Sequence, residues 1–168
     1  DSLIDIEVKD NNINIKCEDS EFNILGNNPN EYPTLLTIRD GSSFSIPMDL
    51  LKTAIRQTVF ATTQDETRPI FTGVLLEINN GKASFVALDG YRLSLRNIPI
   101  NNAEDNIKIV IPGRTLNELN KILEDEEEEI TISTSPGNVV FNLGDTIVSS
   151  RLLEGQFFNY KDIIRQEH

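Results

Sequence analysis

The stretch IKIVIPGRTLNELNKIL, residues 107–123, decides the fold because it joins a strand to a helix at a proline. Ile and Val dominate residues 107–111, which predicts a strand. Pro112 follows, at a first helical position where the missing N–H of proline costs nothing. The helix that it opens carries apolar residues at helical spacing, namely Leu116, Leu119, Ile122 and Leu123.

Residues 43–58 show the same order of elements earlier in the chain. Residues 43–46 predict a short strand, and Pro47 then opens a helix. In this first helix, the residues that recur with helical period are Met48, Leu51, Ala54, Ile55 and Thr58. Counted from its own proline, Leu51 falls at plus four, which is also the place of Leu116 in the second helix.

Three predicted strands follow each predicted helix, with turn residues between them. The first set covers 70–78, 82–88 and 91–97, and the second set covers 130–135, 138–143 and 146–153. The chain therefore uses a β-α-β-β-β unit twice, a duplication that is visible in one sequence. Two such units place two helices on one face of antiparallel sheets, so the predicted fold class is α+β.

The first forty residues predict strands without a helix of their own. Apolar residues alternate over 4–8 and 13–15, a further strand covers 21–26, and a loop rich in Asn and Pro follows. We interpret residues 1–40 as the last strands of an incomplete domain with a linker. Residues 41–165 are interpreted as one complete domain.

The stretch VALDGYRLS, residues 86–94, predicts a β-hairpin with a tight turn at Asp89-Gly90. Asp-Gly between two apolar segments is a strong hairpin signal, because both central residues of a type I′ turn need positive φ. On this motif alone, the favoured interpretation is a plain turn with Tyr91 and Arg92 on its surface.

The distribution of charge sets the two predicted helices apart from the rest of the chain. The whole chain carries −12, and much of the excess lies in residues 124–129, EDEEEE. We interpret this run as a solvated acidic loop, since it lacks the spacing of metal ligands. By contrast, each helix carries a net charge of +1, from two basic residues against one acidic residue. Exposed Lys and Arg on a helix usually only keep a protein soluble, and from charge alone this is the favoured interpretation; the alternative is one face that meets an anion.

Several function classes lack the residues that they need. No apolar stretch approaches the roughly 20 residues of a membrane helix, and the first residues lack the pattern of a signal peptide. The one cysteine, Cys17, fits a cytoplasmic location, and the one histidine, His168, excludes a His-based triad. We expect no metal and no other cofactor, since no ligand spacing or Gly-rich phosphate loop occurs. Asp89 is the one carboxylate whose setting could raise its pKa, but an Asp at this turn position needs no catalytic explanation. A hydrolase is therefore the least favoured interpretation, and we expect that the chain is not an enzyme.

Three stretches resemble the middle domain of the bacterial DNA polymerase III beta subunits, the sliding clamp family. They are RPIFTGVLLEINNGKASFVALDGYRLSLRN (68–97), IVIPGRTLNELNKIL (109–123) and GDTIVSSRLLEGQFFNY (144–160). The motifs D-G-[HY]-R-L and S-x-R-L-[LIV]-[ED]-G-x-[FY]-x-[ND]-Y occur in the order found in the family. FNILGNNPNEYPTLL (22–36) is similar to the end of the family's first domain and its link to the second, so the resemblance covers essentially the whole chain.

This resemblance implies a DNA-clamp fold and a non-catalytic role as a processivity factor of DNA polymerase. In the family, chains of three similar domains, each a doubled β-α-β-β-β unit, join head to tail in a homodimeric ring. Helices line the hole of the ring, which encircles duplex DNA independently of its sequence. The resemblance implies that the DNA-facing residues of this chain are Lys52, Arg56, Arg68, Arg114 and Lys121.

The resemblance also implies a peptide-binding pocket. In the family, D-G-[HY]-R-L forms part of a hydrophobic pocket that binds short motifs of polymerases, the clamp loader and repair proteins, typically a Gln followed by Leu and Phe. Carried over by position, the pocket residues are Phe71, Leu88, Gly90, Tyr91, Arg92 and Leu93. Gly90 would permit a close backbone approach, and Tyr91 and Arg92 would form amphipathic rims.

The chain departs from the family pattern at two positions near this pocket. Phe158 stands where the family usually has Pro, and Arg165 stands where a Pro commonly contributes to the pocket wall. The family's third domain and most of its first have no counterpart in these residues, so we expect that this chain cannot close a ring. The alternative interpretation is an acidic protein–protein adaptor without a role in DNA binding.

Overall fold

The computed structural model describes residues 2–32, 38, 41–100 and 106–164. The chain divides into two compact units, Asp1–Leu35 and Leu36–His168. The interpretation of Arg165 as part of a pocket wall lies outside the described residues.

The first unit is a three-stranded antiparallel meander. Its strands are β1 (Ile4–Lys9), β2 (Asn12–Cys17) and β3 (Ser20–Leu25), as the sequence predicted. Ile6 pairs with Ile15, and Ile15 with Phe22, so the apolar side chains stand in rows on one face. A meander of this size buries little by itself, since Ile6 is 65% and Phe22 61% exposed.

The second unit contains the two predicted β-α-β-β-β repeats. The first repeat consists of β4 (Ser42–Pro47), α1 (Met48–Thr58), β5 (Gly73–Asn79), β6 (Lys82–Leu88) and β7 (Leu93–Pro99). The second repeat consists of β8 (Ile107–Pro112), α2 (Gly113–Ile122), β9 (Glu129–Ser135), β10 (Asn138–Asn142) and β11 (Ile147–Arg151). The predicted duplication and the α+β fold class are confirmed.

The two repeats exchange their first strands. One sheet has the order β7-β6-β5-β8 and the other has the order β11-β10-β9-β4. Each therefore combines three strands of one repeat with the first strand of the other. The exchanged pairs are antiparallel: Ile107 lies opposite Ile78, and Ile46 lies opposite Ile130. Neither repeat has a complete sheet without the other.

Both helices and the inner faces of both sheets share one hydrophobic core. The buried residues of α1 are Met48, Leu51, Ala54, Ile55 and Thr58. In α2 and just beyond it, Leu116, Leu119 and Leu123 are buried, but Ile122 is 45% exposed. Ile122 is exposed because position 122 lies about 120° around the helix from the centre of the buried side.

The acidic run after α2 caps the start of α1. The backbone carbonyl of Glu128 accepts a hydrogen bond from the N–H of Met48 at 2.9 Å, and that of Glu126 accepts from Asp49 at 3.0 Å. The side chains of residues 124–129 are exposed, which confirms the solvated acidic loop. Pro47 and Pro112 precede their helices by one residue rather than occupying the first helical position.

Two predicted strands begin two or three residues later than expected. The strand predicted over 70–78 begins at Gly73, because Pro69–Thr72 forms a 3₁₀ helix in which the Thr72 hydroxyl donates to the Pro69 carbonyl at 2.7 Å. The strand predicted over 91–97 begins at Leu93, since residues 89–92 form a loop.

We predict that Gly73→Ala destabilises the second unit by about 2 kcal/mol, a typical cost of overpacking. An added Cβ would lie 2.7 Å from the Ile111 carbonyl oxygen and 2.7 Å from a methyl group of Leu153. Urea denaturation measures the free energy of unfolding. Asn79→Ala, at the exposed other end of β5, is the control, with an expected change within about 0.5 kcal/mol. Equal stability of Gly73→Ala and the wild type would contradict the close packing.

Candidate peptide pocket and basic helix faces

The outer face of the sheet β7-β6-β5-β8 is apolar, which is unusual for the side of a sheet that turns away from the core. Leu75 of β5 stands between Val86 of β6 and Val110 of β8, with Leu95 of β7 beyond Val86. The neighbouring row includes Leu88 opposite Leu93. These apolar rows need a cover to exclude water.

Residues 152–162, here called the outer strap, provide this cover. The N–H of Leu153 donates to the Val110 carbonyl at 2.9 Å, which fixes the start of the outer strap to β8. Phe157 and Tyr160 are 3% and 6% exposed, respectively. The Phe157 ring meets the Phe71 ring edge to face, with 5.8 Å between centroids.

The outer strap and the sheet form a second hydrophobic cluster, separate from the main core. Its buried members are Leu75, Val86, Leu88, Val110, Phe157 and Tyr160. Its partly buried members are Ile70, Phe71, Leu93, Leu95 and Leu153. The structure thus brings together three predicted pocket residues, Phe71, Leu88 and Leu93. The sequence prediction missed Phe157. The available signal was the aromatic position that this residue occupies in the matched motif.

The loop that carries the polar pocket residues is not the predicted type I′ turn. Only Gly90 has positive φ, at 96°, and Asp89 does not. The carboxylate of Asp89 instead accepts hydrogen bonds from the N–H groups of Tyr91 at 3.0 Å and Arg92 at 3.1 Å. This side-chain acceptor stabilises a four-residue loop. By contrast, both residues of the turn between β5 and β6, Asn80 and Gly81, have positive φ, at 51° and 68°.

The predicted role of Gly90, to let the backbone of a bound peptide approach closely, stays a prediction. No atom lies within 4 Å of the place where a Cβ would stand at this residue. Its positive φ is the reason that glycine fits here.

Tyr91 and Arg92 differ in how firmly they are held. The Tyr91 side chain is 99% exposed. The Nε of Arg92 donates to Asp89 Oδ2 at 2.9 Å, and its guanidinium lies 5.8 Å from the ring centroid of Phe60. Phe60, which is 57% exposed, was not predicted as part of the site.

The five predicted DNA-facing residues do not form one uniform set. Lys52 pairs with Asp125 at 3.0 Å, and Lys121 pairs with Glu118 at 2.8 Å. Arg56 in α1 and Arg114 in α2 are exposed. Within the described part of the chain these two arginines have no ion-pair partner.

The fifth of these residues, Arg68, lies on neither helix. It immediately precedes the 3₁₀ helix, and its carbonyl accepts the N–H of Phe71 at 3.0 Å. Its backbone therefore belongs to the rim of the apolar cluster rather than to the helix pair.

A family model described as "DNA polymerase III beta subunit, central domain" matches residues 45–159. The chain belongs to this family. The beta sliding clamp of Halalkalibacterium halodurans is 40% identical over 168 residues, which are 98% of this chain and 44% of that protein. That of Bacillus subtilis is 39% identical, over 99% of this chain and 44% of that protein. The chain thus spans less than half the length of these curated relatives.

Solved sliding clamp structures show the same fold. A crystal structure of the DNA polymerase sliding clamp from Bacillus subtilis superposes with a TM-score of 0.86 at 38% identity, covering 98% of this chain and 44% of that chain. The DNA polymerase III subunit beta from Pseudomonas aeruginosa gives 0.86 at 28% identity, covering 99% of this chain and 46% of that chain. The predicted clamp fold is therefore confirmed.

The pKa of Asp89 is lowered rather than raised. Hydrogen bonds from the backbone N–H groups of Tyr91 and Arg92, together with the Arg92 guanidinium, hold the pKa of Asp89 below its usual value although desolvation acts to raise it. The expectation that this pKa could be raised was wrong, because the Asp89 carboxylate accepts hydrogen bonds from two backbone N–H groups and from Arg92.

Other predicted absences concern metals and membranes. Among the residues that the structure describes, no group of three or more His, Cys, Asp or Glu side chains is arranged to hold a metal ion. None of the helices in those residues is long and apolar enough to cross a membrane. Cys17 is a half-buried, free cysteine at the end of β2.

We predict that Asp89→Ala disorders the loop at residues 89–92. The substitution removes the acceptor of two backbone N–H groups, so the amides of Tyr91 and Arg92 should exchange hydrogen faster. Asp89→Asn keeps one side-chain carbonyl oxygen and is the matched control, with exchange closer to that of the wild type. Hydrogen exchange followed by NMR measures both.

The same carboxylate sets the direction of the pH dependence. Because the folded pKa of Asp89 is lowered, its contribution to loop order is present above the unfolded pKa and is lost as pH falls through the folded value. An NMR titration of the Asp89 carboxyl carbon should give a midpoint below that of an ordinary Asp. A midpoint above it would contradict the hydrogen-bonded loop.

Proposed function

We propose that this chain is part of a sliding clamp, a non-catalytic processivity factor that encircles duplex DNA and docks DNA polymerase in the cytoplasm. The observation that carries the proposal is the match to relatives named beta sliding clamp over 98% and 99% of this chain. The acidic adaptor is not favoured, because these relatives share the whole described fold with the chain.

The ring belongs to a longer protein in this proposal. The relatives are more than twice as long as the matched segment, since it covers 44% of each. We assign residues 1–40 to the end of a first clamp domain and residues 41–165 to the middle domain. The homodimeric ring of the family would then require the additional length.

The apolar cluster supports a docking role for the outer face. Phe71, Leu93 and Leu95 are partly buried members of the cluster that also contains the buried Phe157. Partly exposed apolar side chains beside a fixed Arg and an exposed Tyr are typical of interface hot spots. A short motif with Gln, Leu and Phe fits this surface, because Leu and Phe can fill apolar space while Arg92 and Tyr91 meet polar groups. We propose such motifs of polymerases, the clamp loader and repair proteins as ligands.

The helix faces support a weak, sequence-independent contact with DNA. Arg56 and Arg114 offer guanidinium groups that no described carboxylate neutralises, and guanidinium pairs well with phosphate. Lys52 and Lys121 contribute less field than an unpaired cation, because each already faces a carboxylate. Arg68 remains a proposed DNA contact on the basis of the family resemblance alone.

We predict that the peptide Gln-Leu-Ser-Leu-Phe binds the outer face beside the 89–92 loop. Titration into isotope-labelled protein should shift the amides of Phe71, Gly90, Tyr91 and Leu93. Leu93→Asp should weaken binding at least tenfold, because it places a charge against the apolar contact. Affinity is obtained from the NMR shifts.

Ile147→Asp is the matched control for this titration. Ile147 is an aliphatic residue, 47% exposed, on β11 of the other sheet. Its substitution should leave peptide affinity unchanged. Equal losses in both variants, or shifts confined to the other sheet, would contradict the proposed pocket.

We predict that Arg56→Ala and Arg114→Ala each weaken the binding of a short DNA duplex at low salt. Each should also lower the slope of log affinity against log salt by about one, because one phosphate contact is lost. Fluorescence anisotropy of a labelled duplex at several salt concentrations measures both quantities. Arg151→Ala, at the end of β11 on the face away from the core, is the charge-matched control with no expected loss. A loss as large in the control would contradict a DNA contact at the helices.

A further inference from the structure

The outer strap is fixed to the sheet at two points, with the pocket wall between them. At its start, the Leu153 N–H donates to the Val110 carbonyl at 2.9 Å. Near its end, the Tyr160 hydroxyl donates to Glu77 Oε2 at 2.6 Å. Phe157 lies between these points and packs against Phe71. The position of this aromatic wall therefore depends on both attachments.

Lys161 strengthens the second attachment. Its Nζ lies 3.2 Å from Glu77 Oε1 and 5.5 Å from the ring centroid of Tyr160. One carboxylate thus binds two consecutive residues of the outer strap through its two oxygens. The Glu77 side chain is 19% exposed, which limits competition from water for these hydrogen bonds.

Glu77 itself stands away from the predicted peptide contacts. It lies in the row formed by Ser84 of β6 and Lys108 of β8, whereas Leu88 and Leu93 lie two rows away on the same face. Strands rise about 3.3 Å per residue, so the two rows are separated by roughly 13 Å. A peptide on Leu88 and Leu93 would not touch Glu77.

We propose that Glu77 and Tyr160 form a latch that positions Phe157 and thereby shapes the peptide pocket. This inference rests on the proposed function of that pocket. Both are positioning residues, because they act on the ligand through Phe157 rather than by contact. The latch is formed by the hydrogen bond between Tyr160 and Glu77 together with the ion pair from Lys161.

The charges around Glu77 keep the latch closed at neutral pH. Burial alone would raise the pKa of Glu77, but the hydrogen bonds of Tyr160 and Lys161 and the charges of Lys161 and Lys108 hold it below its usual value. Burial and the adjacent carboxylate raise the pKa of Tyr160 to about 12. Other groups near the carboxylate are Lys82 and the Ser84 hydroxyl, which line the same cleft.

The sign of the pH dependence follows from these shifts. The lowered pKa of Glu77 means that its contribution is present above the unfolded pKa and is lost as pH falls through the folded value. The raised pKa of Tyr160 means that its contribution is present below an unfolded pKa of about 10 and is lost as pH rises through about 12. The latch should therefore open in acid and stay closed from neutral pH to about pH 10.

The first measurement concerns the outer strap without peptide. Tyr160→Phe keeps the buried ring and removes the hydroxyl, and Glu77→Gln keeps the size and removes the charge. Amide exchange of residues 155–161 should become roughly three- to tenfold faster in both, as for the loss of one hydrogen bond. Glu21→Gln is the control, because Glu21 also pairs with a lysine, Lys16, but lies in the first unit.

The second measurement is the affinity of Gln-Leu-Ser-Leu-Phe in the same variants. We expect roughly three- to tenfold weaker binding for Tyr160→Phe and Glu77→Gln at pH 7, and no change for Glu21→Gln. Wild-type affinity should hold from pH 7 down to the ordinary carboxyl range at about pH 4 and fall below it, partly through Asp89 and partly through Glu77, because both pKa values are lowered. Glu77→Gln should lack the part of this pH dependence that comes from Glu77. A merely structural role of Glu77 would leave the pH dependence unchanged.

The outcomes separate this inference from the proposed function. If the wild type binds the peptide and both latch variants bind it with the same affinity and the same pH profile, the latch is overturned. No binding by the wild type would contradict the pocket itself, and the positioning role with it. Faster exchange together with weaker, less pH-dependent binding would support both.

Discussion

The exchange of first strands between the two repeats is the constraint on which the rest of the structure depends. β8 pairs with β5 of the first repeat, and β4 pairs with β9 of the second. Because each sheet is completed by the other repeat, both helices must pack into one core between them. The same pairing places Val110 of β8 beside Leu75, so the apolar outer face that receives the outer strap exists only when the exchange is complete.

The two sheets are built alike but have different outer faces, and this difference confines the candidate pocket to one of them. Since Phe44 and Ile132 face the core, the residues beside them turn outward and present hydroxyl groups, as in the pair Ser43 and Ser133 at 3.3 Å. Such a face needs no cover. The apolar face of the other sheet needs a cover, and the outer strap leaves part of the rim of that face open. The proposed docking surface is thus confined to one sheet, because the described residues after β11 pack on that sheet.

Local pattern explains what could be predicted from the sequence. The five residues that recur with helical period after Pro47 are the buried residues of α1. Strand exchange left no local signal, because Ile46 pairs with a residue more than eighty positions away. The hairpin at Asp89 was predicted, but its turn type was not, since the carboxylate competes with the backbone for the N–H of Tyr91. Phe157 was missed because the outer strap has no regular period, so only the folded chain places its ring against Phe71.

The charge arrangement can be understood from the same packing. The acidic run must lie beside α1 because its backbone carbonyls accept the first N–H groups of that helix, and Asp125 then pairs with Lys52. Arg114 stands in the first turn of α2, where the helix dipole disfavours a cation. A phosphate near that turn would be attracted by the guanidinium and by the helix N-terminus together. Arg56, near the end of α1, is favoured by its own dipole without a ligand. An anion should therefore stabilise the start of α2 more than the end of α1.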